Sequence, residues 1–295
     1  MSSIAYITDN KMLEHHRLNN HNAMNFWRVT ANVNFSDFGS DDLVFFLSKD
    51  KEQMNNKEKG IVGFGRVKQI HIETIKKMWE MYGDLNGYKT IEEFKDAIIS
   101  VSKDKKLPRK ISSFYLENVM FFQPIYLSEC GMEISRNVES YVYLKPEELV
   151  IKLLELAKEN KDIWSNVDDK LIEEETNLYS IFLSHKIIGD INYEEKLKKK
   201  INKNLKKYLQ ENPKYKFIKN SNTELYKLNN NELEIVYYHD KDIDDRLLIG
   251  QATIFKNELS ILNPKINITF KTTDRTAKTE YLMNRWNYGI HIWKD

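Results

Sequence analysis

Cysteine is all but absent from the 295 residues: Cys130 stands alone. That excludes an intramolecular disulfide and any zinc cluster built on cysteine. Proline and glycine are also scarce, with five and ten residues, which argues against a disordered or low-complexity chain. Net charge is nearly absent too, because 45 basic residues face 44 acidic ones. A polyanion would therefore have to be met by a local patch and not by a global field. No apolar run approaches the roughly 18 residues that a membrane-spanning helix needs. The first residues lack the basic-then-apolar pattern of a secretory leader. The expectation is a soluble, cytoplasmic protein without a membrane partner.

What is abundant is aromatic side chain: 16 Tyr, 14 Phe and 5 Trp. The length suits one large domain or two ordinary ones, each with its own core. Ile4 to Thr8 alternates as a strand. Asp9 to Asn25 is polar, reads as a loop and holds His15, His16 and His21. No carboxylate stands near them at helical spacing, so no metal site is expected there. Phe26 to Val33 and the apolar Leu43 to Leu47 read as strands, and Ser48 to Lys59 as a charged hairpin tip.

The stretch from Gly60 to Gly87 is the most informative. Ile61, Val62, Phe64 and Val67 lie among Gly60, Gly63 and Gly65, the mark of a bulge or of a close approach by backbone or ligand. Ile72, Ile75, Met78, Trp79 and Tyr82 then recur at helical spacing. The helix stops at Gly83, Asn86-Gly87 makes a turn, and Thr90 with Glu93 caps a second helix to Val101. A basic loop, Lys103 to Lys110, precedes strands at Ile111 to Phe122 and Val138 to Leu144. The pattern changes at Pro146. Helices are expected at Glu147–Asn160, Leu171–Ile188 and Tyr193–Gln210, the last with Lys198, Lys199, Lys200, Lys203, Lys206 and Lys207 on its outer face. Strands are expected at Glu234–Tyr238, Leu247–Phe255 and Ile266–Lys271.

Asn25-Phe26-Trp27-Arg28, Ser40-Asp41-Asp42 leading into Leu43 to Phe46, the glycine-rich Gly60 to Gly65, the helix with Trp79, and Tyr82 to Gly87 occur in an order that resembles the PUA-like superfamily. That group includes the EVE, ASCH and YTH domains. The chain most resembles the PUA-like domain beside HNH nucleases in modification-dependent restriction enzymes. It departs from the pattern at Ser40-Asp41, where glycine is usual, and no HNH motif follows. The resemblance implies an α+β protein: a small β-barrel with flanking helices over residues 1–148, then a helical and mixed α/β domain over 149–295. It also implies a base flipped into an aromatic pocket. Trp27 would stack on the base, Asn25 would read its edge, and Arg28 or Arg66 would hold phosphate; the competing reading places Phe26, Trp27 and Phe64 in the barrel core, as is usual for aromatic residues on strands. Gly63, Phe64 and Gly65 would line the approach. Lys105, Lys106, Arg109 and Lys110 are candidates for further phosphate contact.

In the C-terminal half, Asp240, Asp242 and Asp244 alternate as in a calcium loop. Asp245 and Gln251 stand where that loop needs glycine and glutamate. His239, Lys241 and Asp245 resemble the HxKxxxxD motif of phospholipase D-like nucleases, with the aspartate one residue too close. The favoured reading of this stretch is a solvated hairpin loop; the three are otherwise the candidate catalytic set for a nuclease, an activity that a partner subunit would equally supply. No cofactor is expected, apart from a divalent metal if this half is a nuclease. Thr269 to Arg275 and Lys278 add hydroxyls and cations suited to backbone contact. Three functions follow: a reader of modified DNA in phage defence, a non-catalytic reader of modified RNA, and an interaction scaffold. DNA is favoured as partner, with a nuclease subunit or a second copy of the chain as protein partners.

Overall fold

A computed structural model describes residues 2–292 apart from 31–34, 36, 53–57, 133–137, 139, 162, 164, 230–231, 261–264 and 273–276. The fold is α+β, and its contacts divide the chain into two compact units, Met1–Glu173 and Glu174–Asp295. Helix α4 (Glu148–Glu159), expected to open the second unit, belongs to the first. It packs on β5 (Ile111–Ile125), and Gln123 N donates to the carbonyl of Asn160 just past its end.

The first unit is built on β1 (Ile4–Thr8), β2 (Ala23–Arg28), β3 (Leu43–Glu52), β4 (Lys59–Glu73), β5 and β6 (Tyr141–Tyr143), in the order β2-β5-β4-β3-β1-β6. Only β1 and β3 run parallel. In a flat sheet β1 and β2 would lie about 19 Å apart, four strand spacings. Yet the rings of Tyr6 and Phe26 meet at 5.1 Å. The sheet is therefore curled into a small barrel with Phe26, Phe46, Phe114 and Phe121 inside. Register shifts along β4 and β5 supply the bend, since an extra residue on one strand kinks and twists it.

Gly63 lies at one such shift. A Cβ there would come within 2.4 Å of the Met120 carbonyl oxygen. A strand backbone, not a ligand, makes that close approach. Gly63→Ala is expected to lower stability by about 1–3 kcal/mol, as overpacking does. Gly39→Ala, with nothing within 4 Å of the added carbon, should show no such clash penalty. Thermal melting of the two variants side by side checks this.

Helices α2 (Ile75–Tyr82) and α3 (Ile91–Val101) cover the outer face of the sheet, with Met78, Phe94 and Ile98 buried. Thr74 and Thr90 cap them. The expected loop at Asp9 to Asn25 is instead helix α1 (Asn10–Leu18) followed by β2. Asp9 caps α1, and Met12, Leu13 and His16 form its buried face. A histidine inside an apolar stripe hid the helical period. The expected Val138–Leu144 strand is the shorter β6, and residues 53–57 of the charged tip lie outside the described residues.

The second unit contains most of α5 (Asp169–Ile188), α6 (Glu195–Glu211) and a sheet in sequence order: β7 (Lys216–Phe217), β8 (Glu224–Asn229), β9 (Glu232–His239), β10 (Lys265–Thr272) and β11 (Gly289–Ile292). β7, β8 and β9 are antiparallel; β9, β10 and β11 are parallel. Parallel neighbours need crossovers. These are α7 (Asp245–Ser260) and α8 (Ala277–Arg285). The expected strand at Leu247–Phe255 is thus helical. Leu248, Ile249, Ala252, Phe255 and Leu259 bury one face at spacings of three and four, while Leu247 and Ile254 are exposed.

Candidate nucleic-acid interface

Side chains alternate faces along a strand, and β2 shows the consequence. Phe26 and Arg28 face the inside of the curl and the seam between its two ends. Trp27 faces the opposite way. It is 8% exposed, packed against Tyr88 and Phe94, and its indole Nε1 donates to the Asn86 carbonyl at 3.1 Å. Asn25, on the same outward face and fully buried, donates from Nδ2 to Asn86 Oδ1 at 2.8 Å. Asn86 in turn donates to the Gly83 carbonyl. The structure thus places the expected stacking ring and base-reading amide in the packing between sheet and helices.

The other expected N-terminal residues serve the sheet. Phe64 is fully buried between Phe45 and Phe122. A Cβ on Gly65 would press on Leu116 and Val119 at 3.0 Å. Arg66 is buried and donates to the Asp41 carbonyl. Asp41 itself takes a left-handed φ of 65°, so the turn expected to require glycine is made by aspartate.

Arg28 has a different setting. Its guanidinium carbon lies 5.4, 4.9 and 5.8 Å from the ring centroids of Tyr6, Phe35 and Phe114. Nε donates to the Tyr6 hydroxyl at 2.9 Å, and the buried Nη1 has no hydrogen-bond partner. Among the described residues no carboxylate pairs with it. Tyr141 of β6 stacks on Tyr6 at 5.8 Å and meets Phe35 edge-on at 5.0 Å. A half-buried, uncompensated cation ringed by aromatic faces thus marks the seam where β2 and β5 meet β1 and β6. Arg28 is legible in the sequence as a candidate; Tyr6, Phe35 and Tyr141 are not. Only the aromatic richness hinted at them.

Lys105, Lys106, Arg109 and Lys110 are exposed, with no carboxylate partner among the described residues. In the second unit Lys198, Lys199, Lys203, Lys206 and Lys207 of α6 line an open groove with Asn222 at its edge. Asn202 Nδ2 donates to the Asn222 carbonyl at 3.2 Å. Lys200 is withdrawn from this face by Asp240 and Asp242, each at 2.6 Å. Lys271 is buried over the Tyr208 ring; burial pushes its ammonium below the usual lysine range. Residues 273–275 lie outside the described residues, as does the side chain of Lys278.

His239 is 3% exposed, and both ring nitrogens are engaged: Nε2 with Asp245 Oδ1 at 2.7 Å, Nδ1 with Thr272 Oγ1 at 3.0 Å. Lys241 is exposed on the turn that follows. A buried ring held on both sides joins β9 to α7 and β10 and is not presented as a nucleophile. Elsewhere His15, His16 and His21 converge, with His16 Nδ1 and His21 Nδ1 3.0 Å apart. Burial first, then His21 and His15, push His16 down to about 3.

No known protein family matches the chain, and no curated protein matches it. Among solved structures, the ASCH protein of Zymomonas mobilis is similar at 14% identity, over 52% of this chain and 94% of that one, with a TM-score of 0.37. Two single-residue variants of that protein match at 14% and 13% identity, covering 53% and 52% of this chain and 99% and 95% of theirs, each with a TM-score of 0.37. The curl of the sheet is established separately, by strand register and the contact of Tyr6 with Phe26. No helix among the described residues is long and apolar enough to cross a membrane.

Proposed function

We propose that the first unit is a PUA-like module that holds a nucleobase extruded from a DNA strand at the Arg28 seam. The lysine face of α6 would add phosphate contacts, in a protein of phage defence or modification-dependent restriction. The observation that carries this reading is the uncompensated guanidinium of Arg28 among Tyr6, Phe35, Phe114 and Tyr141. Extruding a base costs a few kcal/mol, and stacking on an aromatic face returns about 1–3 kcal/mol. A guanidinium with a free N–H adds a donor for a base carbonyl or a phosphate oxygen. Unpaired lysines on one helix face bind phosphate without reading sequence.

The test is a binding screen over unmodified, methylated, hydroxymethylated and glucosylated duplex DNA, with modified RNA alongside. Preference for one modified duplex is expected. Equal binding to all of them removes base reading, and preference for the RNAs moves the module to RNA. Tyr141→Ala, at a half-buried position, should weaken binding by about 1–3 kcal/mol with little change in melting. Each of Lys203→Gln and Lys206→Gln should flatten the dependence of log affinity on log salt by about 0.9 on duplex DNA. An unchanged slope in both would detach the α6 face from the nucleic acid.

A further inference from the structure

In the second unit the end of α5 and the start of β8 bring together three side chains that the sequence separates by up to 39 positions. His185 Nε2 lies 3.3 Å from Asp190 Oδ1 and 3.3 Å from Glu224 Oε2. One ligand atom of each residue lies within 4.8 Å of the other two. A tetrahedron of nitrogen and oxygen ligands at zinc bond lengths has edges of roughly 3.3 Å. Two of the three separations already have that length.

The carboxylate of Glu224 adds an independent observation. It is 1% exposed; Ser221 and Thr223 donate their hydroxyls to Oε2, and Oε1 has no hydrogen-bond partner. A buried carboxylate oxygen without a donor is costly to keep. An imidazolium at His185 would serve Oε2 and leave Oε1 as it is. A cation between the three residues would relieve the repulsion between the two carboxylates, and bidentate binding by Glu224 would engage Oε1 as well. Gly189 takes a left-handed φ of 77° between α5 and Asp190, and Gln251 Nε2 holds its carbonyl at 2.7 Å.

We propose that His185, Asp190 and Glu224 bind one divalent transition cation, zinc before manganese. One imidazole and two carboxylates form a three-ligand set that leaves a fourth position open for water or a ligand oxygen. The Asp190 side chain is 25% exposed and gives solvent access. Ser221 and Thr223 orient Glu224 from outside the ligand set. Between them in sequence lies Asn222, which lines the lysine groove of α6. The site itself stands whether or not that groove takes a nucleic acid.

The experiment uses the full chain without a polyhistidine tag, stripped with EDTA. Zinc, manganese and magnesium chlorides are then added separately, with calorimetry and thermal melting as readouts. One equivalent of zinc should bind and raise the melting temperature, because a ligand of the folded state stabilises it. Asp190→Asn, at the exposed member, should leave the metal-free melting temperature nearly unchanged and weaken zinc by more than about a hundredfold, exceeding the loss of an outer partner. Glu224→Gln should do the same if it folds, and His21→Gln should bind as the parent does. The proposal is overturned if no cation gives heat or a melting shift. It is equally overturned if Asp190→Asn retains full affinity, or if His21→Gln abolishes it.

Discussion

Trp27→Ala is expected to cost the first unit about 3–5 kcal/mol of stability, as large-to-small changes in cores do. Affinity for nucleic acid should stay unchanged in the protein that remains folded. The indole is closed in by Tyr88 and Phe94, and its N–H is spent on the Asn86 carbonyl. Truncation leaves that buried carbonyl without a donor and opens a cavity against α3. Asn86 also holds Asn25, so the damage spreads along the outward face of β2. Urea denaturation followed by binding at a temperature well below the transition separates the two effects. A variant that melts like the parent yet loses affinity would return Trp27 to the binding surface and discard the packing described for it.

Acid should destabilise the first unit well before its carboxylates titrate. His16 is fully buried on α1, with its Nδ1 against that of His21 and its Nε2 without a partner. Burial and the neighbouring His21 and His15 depress it to about 3 in the folded state, against 6.5 when unfolded. Between these values the unfolded chain binds a proton that the folded chain refuses, so stability falls as pH falls. The slope is about 1.4 kcal/mol per pH unit, which amounts to about 2 kcal/mol at pH 5 and grows toward pH 3. His15 is depressed by burial and by His21 and acts in the same direction. Melting from pH 7.5 down to 4.5 should show the loss beginning near 6.5, with His16→Gln flattening it. Stability flat from pH 7 to 5, or a His16 ring seen by NMR to titrate near 6.5 in the folded protein, would refute the account.

Much of the first unit was legible because its signals are local. Ile4 to Thr8 and Leu43 to Leu47 read as strands from composition, and the caps at Thr90 and Glu93 fixed the start of α3. The glycines of β4 announced a close approach, although not whose backbone made it. Where local signals conflict, the sequence misleads. His16 broke the apolar stripe of α1, and the apolar run of α7 fits a strand as well as a buried helix until its neighbours are known.

The sequence by itself determined the class of the fold, most of the helices, the lysine face of α6 and the richness in aromatic rings. It also determined that Phe26 and Trp27 point to opposite faces, since adjacent residues on a strand must. Tertiary structure alone decided which of those faces is the seam and which meets α2 and α3. That choice depends on the direction in which register shifts far along β4 and β5 curl the sheet. The same holds for Tyr6, Arg28, Phe35 and Tyr141, and for His185, Asp190 and Glu224. Their chemistry arises from convergence across long stretches of chain, and periodicity, a short-range property, carries no record of which distant segments will meet.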